Sequence, residues 1–289
     1  MARRHYGIDV EVIQIRDGNH YEDAFLDGSS EVIVEHLDYL YDEGAKGTKI
    51  TMFCAPSRGG GLELVVQSGM ESVSELKGKT MAVRSSGQPH AITLWLRMMG
   101  LDREVRTILV DDGEVGRWGQ WKKVASGECA ATFMSPLHLP HAVKAGLKVL
   151  DVPEIPIVGH FAQACLSRFA AEHPETFMGY VKAVIHALCL IVHRRDEALE
   201  IVSGEPMRRM KINDPAELKR QLDLIAMGLK TKPYPTSQAM ANTYEIATVA
   251  HTAARGFNPM ALWDLHWVKR LDDEGFIDGL IKNMSDRSL

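Results

Sequence analysis

The chain is 289 residues long, with 45% hydrophobic and 25% charged residues, a composition typical of one large or two modest globular domains. Its formal net charge of -5 disfavours non-specific nucleic-acid binding, which requires a basic face. The most apolar run, 181–192, contains Lys182 and His186, so no membrane-spanning segment is expected. Four widely spaced cysteines without a CxxC or Cys/His pattern predict buried free thiols.

The N-terminus is polar and basic from Met1 to His5, and no apolar segment or small-residue cleavage site follows it. Such a start lacks the features of an export signal. If Met1 is the true start, the chain is expected to stay in the cytosol. If an upstream segment has been removed, a periplasmic or extracytoplasmic location is expected instead.

The first part of the chain alternates predicted strands and helices. Residues 9–15 alternate polar and apolar side chains, the period of a strand with one buried face. The elements predicted after it are a helix at 21–26, a strand at 31–34, a helix at 37–43 and strands at 48–54 and 62–66. This alternation is typical of a mainly parallel sheet covered by helices on both faces.

A second series of strands and helices follows, and the chain ends in helices. The second series comprises strands at 79–84, 107–110, 129–134 and 161–166 and helices at 89–99, 116–126 and 137–145. An apolar stripe after Pro174 predicts an amphipathic helix at 173–193. The remaining predicted helices lie at 215–228, 237–254, 259–271 and 273–284. The pattern predicts an α/β fold with two lobes and a helical C-terminal extension.

Several motifs resemble those of the type II periplasmic solute-binding proteins. The run SELKGKTMAV at 74–83, followed by a glycine-containing turn and a helix ending in MGL at 99–101, is similar to a signature of that family. Further matching motifs are GIDVE at 7–11, the run at 28–34 and GECAA at 127–131. Their order and spacing match over about residues 7–205, and the resemblance is greatest to the sulfonate, nitrate, taurine and thiamine-precursor group.

This resemblance implies a two-lobed architecture. One lobe is expected to comprise residues 1–78 plus 162–289 and the other residues 79–161, with crossings near Lys79 and Phe161. It also implies a ligand cleft between the lobes, at the carboxyl ends of the strands, and hinge closure on the ligand. A small, anionic ligand and an ABC permease are the partners it implies. No cofactor is expected, and the absence of a Cys/His ligand spacing predicts no metal.

Two features depart from the family pattern. Family members usually have a core strand and a cleft-lining loop upstream of the motif at 7–11, which leads us to expect a trimmed start or a substitute element. Where transport members often carry small residues after the third strand, this chain has Glu35 and His36.

Glu35 and His36 are the candidate catalytic residues. A carboxylate and an imidazole at a strand end can act as general base and acid, or bind a cationic group. The alternative is a structural carboxylate beside a half-buried histidine. Because neighbouring residues of a strand point to opposite faces, we expect only one of the two side chains to reach a ligand.

The segment Arg84, Ser85, Ser86 and Gly87 is the candidate binding turn. Two hydroxyl groups and free backbone N–H groups just before a helix beginning at Pro89 predict an anion cradle. The alternative is simple helix capping with a solvated arginine.

Three further residues are candidates for ligand binding. The resemblance implies contacts from Ser135 and His160, and a structural role is the alternative for His160. Trp118 can present an aromatic wall to a ring or to methyl groups, and core packing is the alternative because Trp121 follows at helical spacing.

Two functions follow from these observations. The resemblance favours a solute-binding protein for a small organic anion, such as a sulfonate or carboxylate, serving as the substrate-binding component of an ABC importer. The alternative is a cytosolic enzyme on the same fold, a decarboxylase or desulfinase acting on a small aromatic acid, in which Glu35 or His36 moves protons and Arg84 holds the leaving group. Thiamine-pyrimidine synthase activity is disfavoured, because the chain has no cysteine cluster and has Glu35 where those enzymes have a lysine.

Overall fold

The computed structural model of the protein describes residues 2–13, 21–59, 61–85, 89–204, 206–207, 212 and 214–286. It consists of two compact units, the first formed by Met1–Arg58 with Val158–Leu289 and the second by Gly59–Ile157. The second boundary lies close to the predicted crossing near Phe161, but the first lies well before Lys79. The reason is that strand Glu63–Val66 pairs with strands of the second unit.

The described residues contain eight strands: β1 (Val32–Val34), β2 (Ile50–Cys54), β3 (Glu63–Val66), β4 (Thr80–Arg84), β5 (Arg106–Val110), β6 (Ala131–Met134), β7 (Lys148–Leu150) and β8 (Gln163–Leu166). Their α-helices are α1 (Ala2–Tyr6), α2 (Tyr21–Leu26), α3 (Leu40–Ala45), α4 (Pro89–Met98), α5 (Asp112–Val115), α6 (Trp121–Ala125), α7 (Leu139–Lys144), α8 (Ser167–Glu172), α9 (Pro174–His193), α10 (Arg195–Val202), α11 (Pro215–Gly228), α12 (Ser237–Ala250), α13 (His266–Asp273) and α14 (Phe276–Asp286).

The sheet of the first unit is antiparallel, with the strand order β1-β8-β2. The prediction of a mainly parallel sheet is therefore wrong for this unit. The chain leaves the unit after β2 and returns as β8, which inserts between β1 and β2 and runs opposite to both. Ala164 in β8 lies beside Ile33 on one side and Met52 on the other, and all three side chains are buried.

Helix α9 forms much of the core of the first unit. Of the predicted stripe, Phe177 and Val181 are buried in one hydrophobic cluster, and the partly buried Val184 and Ile191 pack against it, which confirms the amphipathic helix. By length and composition alone α9 is also apolar enough to cross a membrane, with 44% of the relevant window buried inside the protein. Helix α9 packs against α14 and the sheet, so its apolar residues belong to the core of the first unit.

The second unit has a mixed sheet with the strand order β5-β4-β6-β3-β7. Strands β5, β4 and β6 are parallel, as predicted, whereas β3 runs antiparallel to both β6 and β7. The carboxyl ends of the three parallel strands lie on one edge of the sheet, and Arg84, Asp111 and Ser135 lie at those ends. This edge is where open α/β sheets bind ligands.

The strand predicted at 9–15 is absent from the described part of that segment. Residues 8–13 have no regular secondary structure, Val10, Val12 and Ile13 are exposed, and residues 14 and 15 lie outside the described range. An alternating pattern produces a buried strand face only where a neighbouring strand or helix covers it, and no strand pairs with residues 8–13.

The cysteine prediction is confirmed. All four cysteines are buried and free, and they are Cys54, Cys129, Cys165 and Cys189.

Candidate functional site

Glu35, His36 and His160 come together at the end of β1. Strand β1 ends at Val34, and the backbone N–H of Glu35 donates to the carbonyl of Ala162 at 3.2 Å. This bond joins the end of β1 to the turn that precedes β8. Phe161 within that turn has a φ of 69°, so the chain reverses sharply beside His160. Backbone geometry therefore fixes the two segments that carry the three side chains.

The three side chains form one compact cluster. The carboxylate Oε1 of Glu35 lies 3.7 Å from Nδ1 of His160 and 3.9 Å from Nε2 of His36. The two imidazole rings have centroids 3.7 Å apart and an interplanar angle of 52°. The expected alternation of Glu35 and His36 does not separate them, because the chain has left the strand at Glu35 and bends there.

The electrostatics of the cluster set its charge at neutral pH. Burial and the neighbouring His160 lower the pKa of His36 to about 4, so this ring is neutral. Burial acts to raise the pKa of Glu35, but the interaction with the His160 side chain and that with the backbone of His36 outweigh it and lower that pKa, so the carboxylate is ionised. Nδ1 of His36 is buried and has no hydrogen-bond partner among the described residues. Such an atom costs about 1–3 kcal/mol and calls for a functional explanation.

A second polar group lies at the carboxyl edge of the sheet in the second unit. Nε of Arg84 donates to both carboxylate oxygens of Asp112, at 2.9 and 3.1 Å, and Nη2 donates to Oδ2. Next to this pair, the hydroxyl of Ser85 donates to Asp111 at 3.1 Å. The guanidinium of Arg84 is thus already compensated by a carboxylate, which the anion-cradle prediction did not include.

Trp118 belongs to this second group. The guanidinium carbon of Arg84 lies 4.6 Å from the centroid of the indole ring, and the ring of His138 stacks on the indole with centroids 5.8 Å apart. Trp118 is half-buried and has a φ of 58°, an uncommon conformation for a bulky residue. Its half-buried position beside Arg84, outside the buried core, favours the predicted aromatic wall over the core alternative, and that role stays a prediction.

The sequence-predicted residues therefore fall into two groups. Glu35, His36 and His160 are in the first unit, whereas Arg84, Ser85, Trp118 and the half-buried Ser135 are in the second. Ser86 and Gly87 lie outside the described residues. Sequence analysis missed Asp111, Asp112 and His138, although all three follow β5 or β6 on the same edge as Arg84 and Ser135.

The comparisons with known proteins identify the fold. No protein-family model and no curated protein sequence matches the chain. Among solved structures, the periplasmic aliphatic sulphonate-binding protein SsuA from Escherichia coli matches with a TM-score of 0.64 at 14% identity, over 87% of this chain and 80% of that one. A putative sulfonate-binding SsuA from Methylobacillus flagellatus KT matches with a TM-score of 0.63 at 15% identity, over 91% of this chain and 80% of that one.

A third match comes from a eukaryote. A Candida albicans gene product, described as defining a new family with the generic periplasmic binding protein fold, matches with a TM-score of 0.57 at 13% identity, over 94% of this chain and 87% of that one. Together these matches confirm that the chain has the α/β fold of the periplasmic binding proteins. At such identities they establish the fold alone.

Proposed function

We propose that the protein binds a small organic anion, such as a sulfonate or carboxylate, as the solute-binding component of an ABC importer. The observation that carries this proposal is the set of polar side chains after β4, β5 and β6, at the edge where open α/β sheets bind ligands. Arg84 and Ser135 place polar groups there, and Trp118 supplies an aromatic ring beside Arg84. The fold shared with two sulfonate-binding proteins supports the same assignment.

Such a protein requires a permease partner and acts outside the cytoplasm, and we include both in the proposal. The predicted ligand cleft between the lobes also remains a prediction. Solute selection would depend on hydrogen-bond donors and on the aromatic face of Trp118, which suits the carbon skeleton of an organic acid better than a bare inorganic ion.

A thermal-shift screen with alkanesulfonates, aromatic carboxylates, pyrimidines and nitrate tests this proposal. A ligand at about 100 times its dissociation constant adds about 2.7 kcal/mol of stability, which corresponds to a Tm increase of about 5–10 °C. Binding of a hit is then measured by calorimetry. A screen in which none of these classes raises the Tm would contradict the proposal.

Variants show whether the second unit contributes to binding. Arg84→Lys keeps the charge but loses the paired and stacked guanidinium, and Ser135→Ala removes one hydroxyl, so both should weaken binding. Arg103→Lys and Ser126→Ala are matched controls on exposed positions of the same unit. Equal affinities for all four variants would exclude the carboxyl edge of this sheet as the binding surface.

The cluster in the first unit favours a second candidate function, a decarboxylase or desulfinase acting on a small aromatic acid. Glu35 is an ionised carboxylate, His36 is a neutral imidazole and His160 is partly exposed, a combination suited to moving protons. Mass spectrometry of a bound hit after incubation distinguishes the two functions. Conversion to product that is lost in His160→Ala supports catalysis, whereas unchanged ligand supports binding alone.

A further inference from the structure

We infer that Glu35, His36 and His160 bind a divalent transition-metal ion of the zinc class, with one coordination position open. One carboxylate and two imidazoles form one of the protein ligand sets of catalytic zinc sites, in which water or substrate occupies the fourth position. Among the described residues this cluster alone brings three such groups together, with one potential ligand atom from each side chain within 4.8 Å of the others.

The distances fit a metal better than they fit a hydrogen-bonded group. A tetrahedral ion with bonds of about 2.0–2.2 Å holds its ligand atoms about 3.3–3.5 Å apart. The observed separations from Oε1 of Glu35, 3.7 and 3.9 Å, are within a small side-chain rotation of those values. Both exceed the usual range of an N–H···O hydrogen bond, about 2.7–3.2 Å, although His160 is close enough to interact electrostatically with the Glu35 carboxylate.

The burial of His36 indicates a preorganised site rather than a chance surface cluster. Its side chain is only 14% exposed, and its buried Nδ1 has no hydrogen-bond partner in the described structure. Nε2, the nitrogen that faces Glu35, is the atom placed to bind the ion, and burial of the ring limits the freedom of that side chain.

The exposure of the other two ligands indicates where the open position lies. The side chains of His160 and Glu35 are 48% and 38% exposed, so the ion would be held from the buried side and accessible from the solvent side. This step rests on the proposed function: an oxygen of a carboxylate or sulfonate would take the open position.

The ion site is tested on the full-length protein after chelation and dialysis into metal-free buffer. Equilibrium dialysis against ZnCl2 should reveal one tightly bound equivalent, and CoCl2 should produce the visible absorption of a four- or five-coordinate ion. His160→Ala should weaken zinc binding by more than about 100-fold, because loss of even an outer-shell partner costs about 10–100-fold. Since His160 is half exposed, this variant should keep the wild-type circular dichroism spectrum.

The control addresses the other imidazole pair of the first unit. The rings of His5 and His186 have centroids 5.3 Å apart, and His5 is exposed, so adventitious zinc would bind there. His5→Ala should leave the tight equivalent unchanged. Absence of a tight equivalent from the wild type, or its retention in His160→Ala, would overturn the inference.

Solute binding is measured separately, with and without zinc, so that the two proposals fail independently. Tighter binding of a carboxylate or sulfonate to the zinc-loaded protein supports the open coordination position. Equal binding in both forms excludes that role for the ion but leaves the dialysis result intact. If zinc binds and no solute does, the ion site stands and the solute-binding proposal fails.

Discussion

Gly119→Ala should destabilise the second unit and displace Trp118. A Cβ added at Gly119 would lie 2.2 Å from the carbonyl oxygen of Val115, more than 1 Å inside the ordinary contact distance of 3.4 Å. It would also lie 2.7 Å from the carbonyl oxygen of Gly116. Because both neighbours are backbone atoms, no side-chain rotation can relieve the clash.

The surrounding contacts raise the cost of moving the turn. The N–H of Gly119 donates to the carbonyl of Gly116 at 2.7 Å, and the buried amide of Gln120 donates to the carbonyl of Phe133 in β6 at 2.9 Å. Overpacking costs about 1–3 kcal/mol, and a backbone clash of this size belongs at the upper end. At about 2–4 °C per kcal/mol, the Tm should fall by about 6–12 °C.

Thermal unfolding followed by circular dichroism measures this change, and tryptophan fluorescence reports the displacement of Trp118. Gly69→Ala is the matched control in the same unit, since a Cβ at Gly69 meets no atom within 4 Å and its backbone is not left-handed. That variant should stay within about 0.5 kcal/mol of the wild type or gain slightly. Equal Tm values for the two variants would refute the argument that the turn requires glycine.

Three further predictions concern single side chains. Asp112→Ala should lower stability by about 1–2 kcal/mol in urea unfolding, because it removes the carboxylate that compensates the largely buried guanidinium of Arg84, and no change would mean that the pair is effectively solvated. Asp38 raises the pKa of His251, so this histidine should stabilise the protein below about pH 6.5 and lose that effect as the pH rises through the folded-state pKa. In thermal melts, His251→Gln should therefore be less stable than the wild type at about pH 5.5 and equal to it at about pH 8.5. The opposite order would contradict the assignment. Phe177→Ala should cost about 3–5 kcal/mol in urea unfolding, because the ring is fully buried, and a loss below 1 kcal/mol would show that the core collapses to fill the space.

Local sequence patterns predicted most of the helices and strands, because the formation of these elements depends largely on nearby residues. Proline at the start and a periodic apolar stripe placed α9 at its observed position, and α11 coincides with its prediction for similar reasons. The prediction of a strand at 9–15 is wrong because the alternation of polar and apolar residues does not show whether a neighbouring element covers the apolar face. The direction of β8 also could not be predicted locally, since its neighbours are more than one hundred residues away in sequence.

The same limit applies to the site. Glu35 and His36 are candidates from sequence because they replace the small residues of the resembled family and pair a carboxylate with an imidazole, but no spacing rule connects them with His160. The expectation of no metal rested on the absence of a local ligand motif. Glu35 and His36 precede the second unit in the sequence and His160 follows it, so no short run of sequence contains all three side chains. Similarly, the pairing of Arg84 with Asp112 depends on the parallel register of β4 and β5.

The strand order of the first unit has a consequence for how the protein is made. Strand β8 lies between β1 and β2, yet the ribosome delivers it only after all of Gly59–Ile157 has been synthesised. The second unit is contiguous, so it can fold while β1 and β2 still lack their shared partner. The nascent first unit thus exposes two unpaired strand edges for the time needed to translate about one hundred residues, roughly 5–20 s at the usual rate of about 5–20 residues per second. The first unit should therefore need chaperones during synthesis more than the second unit does.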